Sequence, residues 1–275
     1  MAGRLRTSLE NAEAAKTEVK QVLAQSPQQY GLAHVRWTLA DIGQVIPWLQ
    51  QKTIPGVWQI LHRLGFSYQQ TAAFIRSPDP FFRMKVRTMM QAFEQAVFQP
   101  ERAAILFQDE LSYYRTPSLA PAWGETGQQP LVAKAPGTDK LTRIGAVLDG
   151  FTGQLLFQQG DKFGIQQMRT LYQTIRDHYP QRTVYVVQDN CPSVHKHPTV
   201  LALAEQLDIT PVFLPTYASW LNPIERLWRL LKSEVLHNHL WPANVLHLRS
   251  AVDAFLAHFL EPSDFLLHYV GLLPD

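Results

Sequence analysis

The chain has little cysteine, little net charge and no long apolar stretch, and each shortage excludes something. Among its 275 residues there is one cysteine, Cys191, so no disulfide framework can form within the chain. A reducing cytoplasm is the expected setting. No run of about 18 apolar residues occurs, so neither a membrane span nor a membrane partner is expected. The start, MAGRLRTSLENAEAAK, lacks the apolar core of a secretory signal. There is no internal repeat and no low-complexity tract, which argues against solenoids and disordered arrays. The composition, 46% hydrophobic and 17% charged, suits a globular protein of one large and one small domain, or two modest ones.

Net charge is only +2, but it is uneven. The first 100 residues carry 11 basic against 6 acidic side chains, and the remaining 175 carry 14 against 17. A basic front and a mildly acidic back fit a nucleic-acid grip on a metal-dependent body. They fit ordinary solvated faces equally well.

The first 76 residues read as helical. Thr7 and Glu10 have capping-box spacing for a helix over 7–25. A second helical stretch begins near Leu32, and Thr38 offers the N-cap of a third that Pro47 should break or kink. Residues 51–66 read as a short helix with Pro55 in its first turn and Gly65 as its stop. Val57, Ile60, Leu61 and Leu64 give it a buried face, leaving Gln59, His62 and Arg63 pointing elsewhere. That order fits a helix-turn-helix unit that grips DNA, and also a plain three-helix bundle. SPDP (77–80) punctuates the chain, and 81–99 resumes as a helix, so 77–100 reads as a linker.

From residue 101 strands and helices alternate after an initial hairpin, which indicates a mixed α/β sheet with helices on its faces. AAILFQDE (103–110) is a short apolar run ending in acids. LTRIGAVLDGFTGQLLFQQG (141–160) reads as two strands around a D-G-F-T-G turn. TVYVVQDN (183–190) is a buried strand, ITPVFLP (209–215) another, and NPIERLWRLLKSEVL (222–236) a helix.

Asp109 and Asp189 each end a predicted strand, and Glu225 starts a helix just after a third. Ligand sites in α/β sheets gather at the carboxyl ends of strands. Three carboxylates brought together repel one another, and a divalent cation such as Mg²⁺ relieves this while keeping positions open for water and phosphate. Two such ions about 4 Å apart suit a phosphodiester displacement. Each acid also has a plainer reading as a turn or cap residue. With Asn222 as N-cap and Pro223 at N1, Glu225 falls at N3, where it suits the helix dipole and can cap. On that helix Ile224, Leu227, Trp228, Leu231 and Val235 form the apolar stripe. Arg229 and Lys232 lie beside Glu225, off the stripe, as phosphate contacts or a solvated face.

The strings FQDE (107–110), VVQDN (186–190) and LPTYASWLNPIERLWRLLK (214–232) resemble the DDE transposases of the insertion sequence 630 type, relatives of the mariner group. The resemblance extends to WGETGQQP (123–130), the D-G-F-T-G hairpin, HKHP (195–198) and HYVGLL (268–273), and so covers nearly all of 100–275. Thirty-five residues separate Asp189 from Glu225, close to the family's spacing. The resemblance implies a ribonuclease-H-like fold, with Asp109, Asp189 and Glu225 as catalytic residues holding two Mg²⁺ or Mn²⁺ ions. It implies cut-and-paste DNA transposition: water hydrolyses the element's ends, and the freed 3′-hydroxyl attacks target DNA. Terminal inverted repeats, a TA target and a homodimer are implied likewise. The implied division is a helical DNA-binding domain (1–76), a linker helix (77–100) and a catalytic domain (101–275). Family members commonly carry a further helix-turn-helix module ahead of the one resembled here by 32–66, and this chain leaves no room for it. A nuclease that cuts without transposing, and a non-catalytic DNA-binding scaffold, stay open beside transposition.

Glu110 should face away from Asp109, since adjacent side chains on a strand point opposite ways, and is read as supporting or exposed. Asn190 and His195 are candidates to position water or phosphate, or to hold a loop. A zinc site from Cys191, His195 and His197 fits no standard spacing. Trp123 reads as packing or as a DNA contact. Lys134, Lys140 and Arg143 flank the hairpin as candidate phosphate contacts, which would make binding salt-dependent.

Overall fold

The computed structural model describes residues 2–69 and 77–274, with the side chains of 2–10 outside the description. The chain divides into two compact units, Met1–Phe74 and Ile75–Asp275.

The first unit is all-helical. Helix α1 spans Ala2–Leu23, α2 Leu39–Val45 and α3 Ile54–Arg63, with short 3-10 turns at Pro27–Tyr30 and Pro47–Leu49. The capping call at Thr7 and Glu10 falls outside the described side chains. Thr38 caps α2 reciprocally: its hydroxyl accepts from the Asp41 amide at 3.2 Å, and the Asp41 carboxylate accepts from the Thr38 amide at 2.8 Å. The helix expected to begin near Leu32 does not form. Gly31, at φ 78°, closes the 3-10 turn instead. Trp37 is then pinned back, its indole N–H donating to the Gln25 carbonyl at 2.8 Å. Pro47 has no N–H to continue α2 and starts the second 3-10 turn. Thr53 caps α3, and Val57 and Leu61 pack with Val19, Val22, Ile42, Ile46 and Leu49 in one apolar core.

The second unit is built on a five-stranded sheet in the order β3-β2-β1-β4-β5. The strands are β1 (Ala103–Tyr114), β2 (Leu141–Asp149), β3 (Leu155–Gly160), β4 (Thr183–Gln188) and β5 (Ile209–Phe213). β1, β2 and β3 pair antiparallel, whereas β4 and β5 join parallel to β1. Helices α5 (Ile165–His178) and α6 (Pro198–Gln206) supply the crossovers and bury Met168, Leu171, Ile175 and Val200 on one face. The other face is covered by α4 (Phe82–Phe98), α7 (Ile224–Leu231), α8 (Val245–Ala257) and α9 (Asp264–Val270). This is a ribonuclease-H-like sheet. Helix α4 lies in the segment read as a linker, yet Ala92 and Ala96 are buried in the same core as Ile105 and Phe107. Its small residues let it lie close on the sheet.

Two local features position the site. β1 does not stop at Asp109 as the apolar run suggested, because Asp109 to Tyr114 pair with Ala146 to Leu141 on β2. Its parallel ladder with β4 does stop, at Phe107 and Val187. Asp109 therefore lies just past the carboxyl end of the parallel pairing, beside the loop that follows β4. The D-G-F-T-G turn is held by buried Asp149, whose carboxylate accepts from the amides of Phe151 (2.8 Å) and Thr152 (2.9 Å) and from the Tyr179 hydroxyl (2.7 Å). Gly153 there has φ 69°, and a Cβ would lie 2.3 Å from the Ser263 carbonyl, so only glycine fits.

Candidate active site

A cleft of about 470 Å³ opens where the parallel pairing of β1 with β4 ends, past the ends of β4 and β5 and beside the start of α7. Asp109, Asp189 and Glu225 all line it, together with Asn190, Asn222 and the 214–220 loop. No lysine, arginine or histidine is among these lining residues. Exposed Tyr217, with its backbone at φ 54°, and half-exposed Trp220 form its aromatic rim.

Asp109 is mostly buried, and its carboxyl group is pushed up to about 7. Burial is the main cause, followed by the negative charges of Glu225 and Glu110. The Glu110 amide and the Trp228 indole oppose the shift, the latter donating to Asp109 Oδ2 at 2.9 Å. Trp228 is fully packed on the apolar stripe of α7, so the helix that carries Glu225 also carries Asp109's donor. Sequence reading assigned Trp228 to packing alone. The available signal was its placement three residues after Glu225, on the neighbouring line of the helix.

The capping expectation for Glu225 fails. Pro223 sits at the cap position with no side-chain cap bond. Asn222 turns the other way, its Nδ2 donating to the Gln108 carbonyl of β1 at 2.9 Å. This bond ties the start of α7 to the strand that carries Asp109. Among the described residues the Glu225 carboxylate accepts no hydrogen bond and stands close enough to Asp109 to raise its pKa. Along α7, Ile224, Leu227, Trp228 and Leu231 are buried as expected. After Leu231 the chain widens into a π-helical turn, Lys232–Leu236, which buries Leu236 and leaves Val235 only half-buried.

Asp189 behaves differently. It follows the last residue of β4, and its Oδ1 accepts from the Cys191 amide at 2.9 Å and from His195 Nδ1 at 2.5 Å. The histidine bond is the chief reason its carboxyl sits below the usual range, against the opposing effect of burial. His195 is 1% exposed and bonds Glu110 Oε1 through Nε2 at 2.8 Å. Burial alone would depress this imidazole, but its bonds to Asp189 and Glu110 outweigh that and lift it to about 10. Glu110 does face away from Asp109, and reaches Asp189 through His195. Among the described residues no three His, Cys, Asp or Glu side chains form a ready-made metal cage. Asp189 is turned to His195, whereas Asp109 and Glu225 both line the cleft and the Glu225 charge helps to raise Asp109.

The remaining candidates scatter. Asn190 donates to the Leu214 carbonyl and accepts from Lys85 at 3.3 Å. Lys85 in turn pairs at 2.7 Å with buried Asp79, which also accepts from the Thr216 amide at 2.8 Å. The Lys85 bond, then the Thr216 amide, hold the Asp79 carboxyl far below its ordinary value. The strut links SPDP to both cleft loops, and sequence reading missed it. Cys191 is a free thiol, and His197 caps α6. Trp123 and Lys134 are exposed, as are Arg229 on α7 and Lys232 at the start of the π-helical turn. Lys140 lies 3.7 Å from Asp161, and Arg143 is half-buried on β2. In the first unit Gln59, His62 and Arg63 are exposed on α3, His62 stacking on Trp58 at 5.3 Å. Among the described residues no helix is long and apolar enough to cross a membrane.

Comparison with known proteins places the chain in a family. The insertion element IS630 uncharacterized 39 kDa protein of Shigella sonnei is 22% identical over 248 residues, spanning 87% of this chain and 71% of that protein. The Mos1 transposase paired-end complex with left transposon end superposes at a TM-score of 0.65 and 15% identity, covering 94% of this chain and 75% of that one. The Mos1 mariner paired end complex with Mn superposes at 0.63 and 16% identity, over 87% and 72%. A family model described as DDE superfamily endonuclease matches residues 104–244, a span that holds the sheet, the cleft and all three of its acids. The chain belongs to the DDE superfamily endonucleases.

Proposed function

We propose that this protein is a DNA transposase that cuts and joins phosphodiester bonds with divalent cations held by Asp109, Asp189 and Glu225. The observation that carries the reading is the cleft itself: three carboxylates, no basic side chain among the lining residues, and an Asp109 carboxyl raised by burial and then by its acidic neighbours. That is a surplus of hard oxygen donors and negative charge, which suits Mg²⁺ or Mn²⁺. Bound there, two such ions would activate the attacking oxygen and stabilise the leaving one.

The chain's own residues prepare that chemistry. Trp228 holds one oxygen of Asp109, Asn222 anchors the start of α7 to β1, and His195 with the Cys191 amide fixes Asp189. The aromatic rim narrows the cleft beside the acids. We place DNA ends in this cleft, with Arg229, Lys232, Arg143, Lys134 and Lys140 as phosphate contacts. The α3 face of Gln59, His62 and Arg63 is the proposed grip on terminal repeats, in the manner of a helix-turn-helix. The relatives support this reading: one similar structure is a Mos1 transposase paired-end complex with left transposon end, and others are Mos1 paired end complexes with Mn or Mg. A TA target and a dimer follow from the family resemblance.

The test is a cleavage and joining assay on DNA bearing the element's terminal repeats, with Mg²⁺ or Mn²⁺. Nicking and strand transfer that disappear in Asp189→Asn and Glu225→Gln are expected. Undiminished cleavage in both variants overturns the assignment. Nicking without joining would favour an endonuclease that no longer transposes.

A further inference from the structure

We propose that His195 and Glu110 are positioning residues for Asp189, an inference that rests on the reading of Asp189 as a cation ligand. Asp189 leaves the end of β4 on a loop, and its side chain is 59% exposed, so nothing in the strand fixes its rotamer. Two bonds do. Both the Cys191 amide and His195 Nδ1 take the same oxygen, Oδ1. Among the described residues Oδ2 makes no hydrogen bond, while Asp189 lines the cleft. One oxygen is committed to the protein and the other is left free for a cation.

The histidine is itself held from behind. It is 1% exposed, and its second nitrogen meets Glu110 Oε1 at 2.8 Å. That oxygen also accepts from Nε2 of fully buried Gln108 at 2.7 Å. The run Gln108–Glu110–His195–Asp189 starts on the central strand and ends at the cleft. β1 carries Asp109 on one face, and on the other it carries the anchor for the second acid. An imidazole whose two nitrogens are both engaged cannot rotate without breaking a bond, so Asp189 inherits the rigidity of β1. Partners that orient ligands in this way are worth roughly 10–100-fold in metal affinity.

The rival role is a plain pin for the 189–197 loop, and the experiment separates the two. Mn²⁺ binding to the full chain is followed by the paramagnetic resonance signal of free Mn²⁺, with Asp109→Asn as background, alongside the melting temperature without metal. His195→Ala is expected to weaken Mn²⁺ binding about 10-fold or more. His195→Asn keeps a donor near the Nδ1 position and is expected to recover most of that loss. Glu110→Ala is expected to weaken binding in wild-type His195 and to add little to His195→Ala. Wild-type affinity in His195→Ala overturns the inference, and so does equal weakening by Ala and Asn that tracks melting temperature. Wild-type protein that binds no more Mn²⁺ than Asp109→Asn would instead sink the metal reading beneath it.

Discussion

The two sides of the cleft treat their acids in opposite ways. On the α7 side, Asp109 lies within reach of the Glu225 charge with a neutral indole as its side-chain donor, and burial and that charge drive it up to about 7. On the loop side, Asp189 and Glu110 share a buried histidine lifted to about 10, and Asp189 is driven down. One side stores repulsion and the other is already neutralised. The contrast suggests a division of labour, in which the strained pair creates demand for a cation and the bridged acid supplies a fixed ligand. A purely structural acidic cluster would be expected to pair all its members.

The comparison can be broken at several points. The largest effect should come from removing charge on either side. Asp109→Asn, Asp189→Asn and Glu225→Gln should each lower metal-dependent cleavage about a thousandfold, measured as single-turnover rates on end-repeat DNA. Trp228→Phe comes next. It leaves a buried carboxyl without its donor and should cost about 1–3 kcal/mol in denaturant unfolding.

Asp109→Asn should do the reverse and stabilise the metal-free protein. Its ordinary value is 3.8 and its folded value about 7, so the folded state holds the proton more tightly. Stability from this group therefore falls as pH rises from about 4 through about 7, and the penalty stays above that. Removing the charge should recover about 4 kcal/mol at pH 8 and be neutral near pH 3, read from melting curves at both values. The histidine bridge has its own window. Its raised value gives stability that is complete below about 6.5 and lost as pH rises through about 10. The smallest effect should be that of Cys191→Ser, within about twofold in cleavage rate, because the backbone amide and not the thiol holds Asp189.

Much of this was legible in the chain. The alternation of strands and helices, the D-G-F-T-G hairpin and the apolar stripe on α7 follow from periodicity and turn chemistry. What escaped were polar contacts between distant segments. Trp228 reads as core because its ring is core, and only the fold shows its N–H meeting Asp109. Asn222 fits an N-cap by every local rule, yet tertiary contact with β1 outbids the cap. The length of β1 was hidden because the pairing beyond Asp109 depends on β2, thirty residues away. His195 was a candidate, but that it joins Asp189 to Glu110 depends on how the loop after β4 folds back.

The most direct test of the account is a crystal structure of the full chain with Mn²⁺, located by anomalous scattering. The account predicts Mn²⁺ in the cleft, bound by Asp109, Asp189 and Glu225, with the His195 bridge to Asp189 intact. Manganese bound elsewhere, or a cleft that stays free of metal at millimolar Mn²⁺, would contradict it.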